Sequence, residues 1–392
     1  MKEIDSCEVC GNKHLKSVLN LGMHPLCDDL VPIGEHRICK EYPIEILFCD
    51  VCLTAHQRYQ VPKEDLFTDS YHYRARMTGS VLSGMSELVS SCELRLCGVK
   101  GKTVLDIGCN DGSLLNFFKA KECRTIGIEP TAAAVDSRHR TINAFFDKKT
   151  AKEVLEEVGQ PDIVTFTNVF AHIENLPELL ANLKILTSVN TMIIIENHYL
   201  GAILEHGQFD TFYHEHPRTY SYNSFKYIAK TLEINLIDVQ FVSRYGGNIR
   251  VYLGQNNPLG TAVEESHFSQ MFDAMNNAMS SWVEKARVEI RNLVEKHGRL
   301  RAIAFPGRAA IMIKLLGLDE RHISAVYEIK GSIKVGHYVP GTRIPILPEA
   351  KLFSKQDLSK PILNLAWHIP DEVRANLSDN GYTGEVIDIK KR

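Results

Sequence analysis

The feature that most constrains this 392-residue chain is the stretch VLDIGCNDGSLLNFF at residues 104–118. A short apolar run leads into a turn bounded by two glycines, and helical spacing follows. This predicts a buried strand over 103–107, a tight turn over 108–112 and a helix over 113–121. A second strand, RTIGIEP, ends at Glu129, 23 positions after Asp106. A strand, a glycine turn, a helix and then an acid at the tip of strand two is the layout of a doubly wound nucleotide-binding sheet. The glycines let backbone approach the ligand, and the acid accepts from ribose hydroxyls.

The turn reads G-x-N-x-G rather than G-x-G-x-x-G, and Asp106 sits at the end of strand one. No pyrophosphate is implied. Carboxylates near a cationic sulfonium and an α-amino group suit S-adenosylmethionine instead. The candidate cofactor residues are therefore Asp106, Gly108, Asn110, Gly112 and Glu129, with Asn168 from a later strand. A dinucleotide dehydrogenase and an ordinary strand–turn–helix remain as alternatives.

DIVTFTNVFAHI (162–173) reads as a strand running into Asn168 and His172. TMIIIENHYL (191–200) reads as another, ending at Glu196, Asn197 and His198. Ligands of such sheets sit outside the carboxyl ends of the strands. Asp106, Glu129, Asn168, His172 and Glu196 are thus expected around one crevice. The loop after the last strand carries FYHEHP, residues 212–217, with Tyr213, His214, Glu215 and His216 in succession. Its place on the ligand side of the sheet points to acid–base catalysis. In an extended segment His214 and His216 share a side, so a metal reading of the HxH pair stays open. So does a hydrogen-bonded structural loop. Tyr71 and Tyr73, in the linker before the first helix, either pack between domains or bring a phenol to the site.

The chain begins with CEVC (Cys7, Cys10) and CDVC (Cys49, Cys52). Each pair places two thiolates on one knuckle, the bite that tetrahedral Zn²⁺ requires. Four sulfurs leave no coordination position for substrate, so the expected Zn²⁺ is structural. Cys27 and Cys39 are possible substitutes without CxxC partners. Ten cysteines in this arrangement suit a reducing compartment, with a metal site and free thiols in place of disulfides.

A net charge of −3 provides no basic field for nucleic acid. No apolar run approaches the ~18 residues of a membrane span, and the first residues lack a signal-peptide core. A cytoplasmic protein is expected. After GGNIRVYL, a long helical pattern runs toward Gly298. LRAIAF, ISAVYEI, PILNLAW and GEVIDI then read as strands of a second, smaller α/β unit. Arg308, Lys334 and Arg343 are its phosphate candidates, although the turn at Pro306-Gly307-Arg308 is no Walker loop.

Taken together, the doubled CxxC, LDIGCNDGSLL, NVFAHI, YHEHPRTYS, GGNIRVYL and YVPGTRIPI resemble the S-adenosylmethionine-dependent sugar C-methyltransferases acting on nucleotide-linked 4-keto-deoxysugars. The resemblance covers nearly the whole chain. It implies an α/β protein with a zinc-binding module (1–66), a Rossmann-like methyltransferase domain (67–258) and a smaller Rossmann-like domain that holds the nucleotide sugar (259–392). It implies His216 as base, Glu215 and Tyr213 beside it, and His172 and a linker tyrosine, Tyr71 or Tyr73, near the sugar. Methyl transfer to C3 of an NDP-4-keto-deoxyhexose is expected, with the sugar on dTDP rather than GDP and the enzyme a monomer. A sugar O- or N-methyltransferase, or a non-catalytic binding protein, are the alternatives. The chain departs from the family's usual pattern at Arg308, Glu328 and His368, where a lysine-bearing turn, an Asp and an Asn are usual.

Overall fold

A computed structural model describes residues 1–66, 74–77, 79–354 and 357–391. Tyr71 and Tyr73 lie outside the described residues. The chain forms two compact units, each assembled from separated segments. Met1–Ser17, Leu47–Ile203 and Glu215–Ser269 make the first; Val18–Ile46, Leu204–His214 and Gln270–Arg392 make the second.

The first unit is built on a seven-stranded sheet. Its strands are β1 (Thr103–Ile107), β2 (Arg124–Ile128), β3 (Arg140–Ile142), β4 (Ile163–Thr167), β5 (Met192–His198), β6 (Asn235–Val242) and β7 (Asn248–Gly254), in the order β6-β7-β5-β4-β1-β2-β3. Strands β1 to β5 are parallel. Strand β7 runs antiparallel between β5 and β6. The centre of the sheet is covered on both faces: every residue of β1 is buried, as parallel strands between helices require. The strand order reverses between β1 and β4, and that reversal opens the crevice in which such sheets bind ligands.

On one face Ile107, Phe166, Phe170, Leu183, Tyr220 and Phe225 share a core with Cys7, Val9, Cys49 and Cys52. The cysteine knuckles therefore pack directly on the sheet domain. On the other face Val81, Met85 and Leu88 of the helix Gly79–Arg95 meet Leu114 and Phe118 of the helix Ser113–Ala120. Two helices on the first face, Lys148–Val158 and Tyr222–Leu232, start in capping boxes formed by Asp147 with Thr150 and by Ser221 with Ser224. Each box satisfies amides that a helix start leaves unpaired. The strand expected over 162–173 stops at Thr167. Asn168 then takes a left-handed conformation (φ 54°) and Phe170–His172 form a 3-10 turn. Asparagine tolerates that backbone better than most residues.

The second unit holds a parallel five-stranded sheet of β8 (Leu300–Ile303), β9 (Ile323–Glu328), β10 (Ile346–Pro348), β11 (Ile362–Asn364) and β12 (Val386–Asp388). Its order is β10-β9-β8-β11-β12. Strand β10 is three residues long, too short to show a period in sequence. The long helix Phe268–His297 ends before Gly298 (φ 74°), which stops it as expected. No helix among the described residues is long and apolar enough to cross a membrane.

Candidate active site and metal centre

Cys7, Cys10, Cys49 and Cys52 place their sulfurs within 4.8 Å of one another. Cys7 and Cys52 are 3.3 Å apart, and Cys10 and Cys49 are 3.5 Å apart. A tetrahedral ion with Zn–S bonds of about 2.3 Å needs sulfurs about 3.8 Å apart, so the set fits Zn²⁺. Three of the four are buried. Hydrogen bonds with Cys49 and Cys7, together with burial, push the Cys52 thiol up. Several thiolates this close are tolerable only with a cation among them. Outer partners orient the sulfurs: His56 Nε2 lies 3.3 Å from Cys7, Thr54 Oγ1 3.0 Å from Cys52, and Asn12 donates to Cys49.

The glycine turn follows β1. Gly108 has φ 73°, and a Cβ there would fall 2.4 Å from Val169 Cγ2. Only glycine fits, and Val169 of NVFAHI thereby abuts the turn. Glu129 is buried at the tip of β2. It accepts the Asn110 amide at 2.9 Å and the Thr131 amide at 2.8 Å. Each carboxylate oxygen keeps a lone pair for a ribose hydroxyl. Asn110 and Gly112 also lie at positive φ. Glu129 beside this backbone turn suits the adenosyl group of S-adenosylmethionine. Asp106 is turned elsewhere: its Oδ1 accepts from Thr165 Oγ1 at 2.7 Å, and burial pushes its carboxyl up to about 7. The Asn110 side chain accepts the Ala75 amide at 3.0 Å.

Three imidazoles meet beyond the carboxyl ends of β4 and β5. His172 closes the 3-10 turn after β4, and His198 ends β5. The rings of His172 and His216 lie 4.8 Å apart, and those of His198 and His216 lie 5.3 Å apart. His172 Nδ1 donates to the Glu215 carbonyl at 2.8 Å. Burial pushes His172 down to about 4 against backbone hydrogen bonds at Glu215 and Asn168 that raise it, so it is neutral at pH 7. His216 and Glu215 are buried; Tyr213 is partly buried.

His214 belongs to the second unit, where its Nε2 lies 3.1 Å from the Tyr42 carbonyl and burial pushes it down to about 4. The chain turns at His214–Glu215 rather than staying extended. The two imidazoles of HxH consequently take different partners. Among the described residues, the four cysteines alone form a group of three or more ligand-type side chains placed for a metal.

Glu196 does not face the crevice. It is fully buried between Arg250, at 2.7 Å, and Arg244, with Asn248 Nδ2 at 3.2 Å. Asn248 also donates to Asn168 Oδ1 at 3.0 Å, and the Asn168 amide donates to the Glu196 carbonyl at 2.7 Å. This network holds the left-handed turn at Asn168 and so aims the segment that carries His172. Sequence reasoning did not single out Arg244, Arg250 and Asn248 individually, and it left His198 without a role. Its position as the last residue of a parallel strand was the available signal.

In the second unit Arg308 follows β8. Its guanidinium lies 3.2 Å from Asp210, donates to Thr211 Oγ1 at 3.0 Å, and lies 5.4 Å from the Trp367 ring. Trp367 Nε1 donates to Asp210 at 3.0 Å, and Lys390 Nζ sits 4.0 Å over the same ring. Arg308 Nη2 is buried without a hydrogen-bond partner among the described residues. Lys334 donates to the Phe305 carbonyl, and Arg343 to the carbonyls of Glu35 and Arg37. Those two cations are committed to backbone.

Comparison with known proteins matches three family models in tandem: a zinc binding domain at residues 7–67, a methyltransferase domain at 82–238 and a C-methyltransferase C-terminal domain at 244–386. The chain is similar to C-methyltransferase NovU of Streptomyces niveus, 26% identical over 397 residues that span 96% of this chain and 93% of that protein. Among solved structures, the PH0226 protein of Pyrococcus horikoshii OT3 aligns over 47% of this chain and 95% of its own, at 12% identity and a TM-score of 0.36. An S-adenosylmethionine-dependent methyltransferase from Clostridium acetobutylicum ATCC 824 aligns over 45% and 92%, at 12% identity and a TM-score of 0.36. With its four-cysteine site, its seven-stranded sheet and these three matches in tandem, the chain has the domain set of an S-adenosylmethionine-dependent C-methyltransferase with an N-terminal zinc binding domain.

Proposed function

We propose that the chain methylates C3 of an NDP-4-keto-deoxyhexose, with His216 as the base. The observation that carries this is the buried His216 ring, 4.8 Å from His172 and 5.3 Å from His198, beyond the ends of two parallel strands. A carbon beside a ketone becomes nucleophilic only when its α-proton is removed. The base must be neutral at working pH, and a donor must meet the developing enolate oxygen. An imidazole of ordinary pKa about 6.5 suits the first task. His172 does not suit the second: it is neutral, its one proton is on Nδ1 toward the Glu215 carbonyl, and its Nε2 is left an acceptor, so it is assigned to hold the His216 loop. Tyr213, Tyr71 and Tyr73 are the candidate donors. S-adenosylmethionine supplies an electrophilic methyl group when bound. Glu129, the Gly108–Gly112 turn and Asn168 are assigned to hold it. The four-cysteine site keeps no vacant position for substrate, and its ion is assigned a structural role.

Residues 259–392 are proposed as the nucleotide-sugar domain, beside a methyltransferase domain over 67–258 and a zinc module over 1–66. Arg308 has a buried, unpartnered Nη2 next to Trp367 and Lys390, beyond the strand-order reversal of the second sheet. That arrangement suits a diphosphate and a flat nucleobase. The test is incubation with S-adenosylmethionine and a dTDP-4-keto-deoxyhexose in D₂O. The expected result is a product heavier by one methyl on carbon, with solvent exchange of the C3 proton when the methyl donor is replaced by S-adenosylhomocysteine. Methylation on oxygen or nitrogen without C3 exchange would instead identify an O- or N-methyltransferase. Binding without turnover would identify a binding protein.

A further inference from the structure

We infer that Arg218 is a positioning residue that ties the cysteine module to the His172–His216 pair. It lies two residues after His216, on the short strand Arg218–Thr219, and is fully buried. Nothing in the methyl-transfer chemistry calls for it, yet its guanidinium is nearly saturated. Nε donates to the Tyr220 hydroxyl at 2.9 Å. Nη1 donates to the Glu174 carbonyl at 3.0 Å and to Glu8. Nη2 donates to the Ile173 carbonyl.

These contacts close a ring. Ile173 and Glu174 directly follow His172; His172 donates to the Glu215 carbonyl; Glu215 directly precedes His216; and Arg218 follows two residues later. Both imidazoles are thereby held at the ends of short, hydrogen-bonded lengths of chain. The same arginine reaches the metal knuckle, because Glu8 lies inside Cys7-Glu8-Val9-Cys10 and forms the ion pair with it. A second link runs in parallel. Arg218 pairs across the strands with His56, whose Nε2 lies 3.3 Å from Cys7 Sγ, and the Gln57 amide donates to the Pro217 carbonyl at 2.8 Å. The zinc binding domain thus acts as a buttress for the histidine loop, and Arg218 is where the load crosses. A lysine keeps the charge but not the planar fork that serves a carboxylate, two carbonyls and a phenol together.

The consequence for turnover rests on the acid–base reading of His172 and His216; the mechanical coupling does not. The test compares the zinc-loaded wild type with Arg218→Lys and Glu8→Gln. Histidine-labelled protein is used, with ring resonances assigned by single His→Gln substitutions. In Arg218→Lys, zinc should stay at wild-type stoichiometry and S-adenosylhomocysteine affinity within about twofold, since the Gly108–Gly112 turn is untouched. The His172 and His216 resonances should shift or broaden, and kcat should fall about tenfold to a hundredfold with little change in KM for S-adenosylmethionine. Glu8→Gln should show the same pattern more weakly, and it decides the matter if Arg218→Lys does not fold. Ring resonances that superimpose on wild type in the folded variants would overturn the coupling. If His216→Gln keeps full turnover, the base assignment fails on its own, while shifted resonances in Arg218→Lys would still support the coupling.

Discussion

The imidazole rings of His172 and His216 lie 4.8 Å apart and inclined at 54°, although one follows β4 and the other sits in the loop beyond β5. The parallel pairing of β4 with β5 brings those two chain ends to the same edge of the sheet. Burial holds His172 neutral. The pair therefore offers one ring fixed by the Glu215 carbonyl and a second beside it, the arrangement on which the proposed proton abstraction rests.

Replacing the base should cost chemistry and not binding. His216→Gln is expected to lower kcat by about 10²–10⁴, while calorimetric binding of S-adenosylhomocysteine stays near wild type. Turnover within a few-fold of wild type would remove His216 from the mechanism.

Removing one metal ligand should be felt in stability first. Cys49→Ser is expected to drop zinc below one ion per chain by elemental analysis. It should destabilise the first unit by about 3 kcal/mol or more, lowering its melting transition by roughly 5–10 °C. His216→Gln should leave the zinc count unchanged. A lower count there would revive the HxH pair as a ligand set.

Stability should fall toward acid through His172. Its folded pKa is depressed to about 4, first by burial, from an ordinary value of 6.5. The stabilising difference is therefore fully present above pH 6.5 and is lost as pH falls toward 4. Urea midpoints between about pH 7 and 4.5 should decline less steeply in His172→Asn than in wild type. Parallel declines would show that His172 is not the group responsible.

Glu129 should govern the adenosyl site. Glu129→Ala removes the acceptor of the Asn110 and Thr131 amides as well as that proposed for the ribose hydroxyls. The Kd for S-adenosylhomocysteine should rise at least about tenfold, the equivalent of roughly 1.4 kcal/mol. An unchanged Kd would place the ribose elsewhere.

Arg308 should matter to the nucleotide sugar alone. Loss of its charge-assisted contacts in Arg308→Ala should raise KM for the sugar nucleotide by about tenfold to a hundredfold. KM for S-adenosylmethionine should not move. A variant with both KM values unchanged would leave the phosphates without this partner.

Local patterns were legible without coordinates wherever one segment carries its own physics. The doubled CxxC reads as a metal site because each knuckle brings two sulfurs together by itself. VLDIGCNDGSLL reads as strand, turn and helix because an apolar run, a turn bounded by two glycines and helical spacing follow one another. Val81, Met85 and Leu88 recur at helical spacing, and all three are buried in one core.

Long-range pairing decided the rest. Asp106 and Glu196 look equivalent in sequence, each an acid near the end of a strand. Asp106 is occupied by Thr165, and Glu196 is locked between Arg244 and Arg250, residues on the antiparallel strand and turn next to β5. His214 and His216 look like a pair, yet a turn between them sends each to different partners.

From its letters alone this chain determined its class, its metal ligands, the turn proposed to hold its cofactor and the loop proposed to hold its base, since each of these is a property of a few neighbouring residues. Which acids are free for ligand, which imidazoles meet, and how Arg218 links the cysteine knuckle to them were decided only in three dimensions. Burial and hydrogen-bond partners come from segments far apart in sequence, and the desolvation that sets a buried group's charge exists only once they have packed.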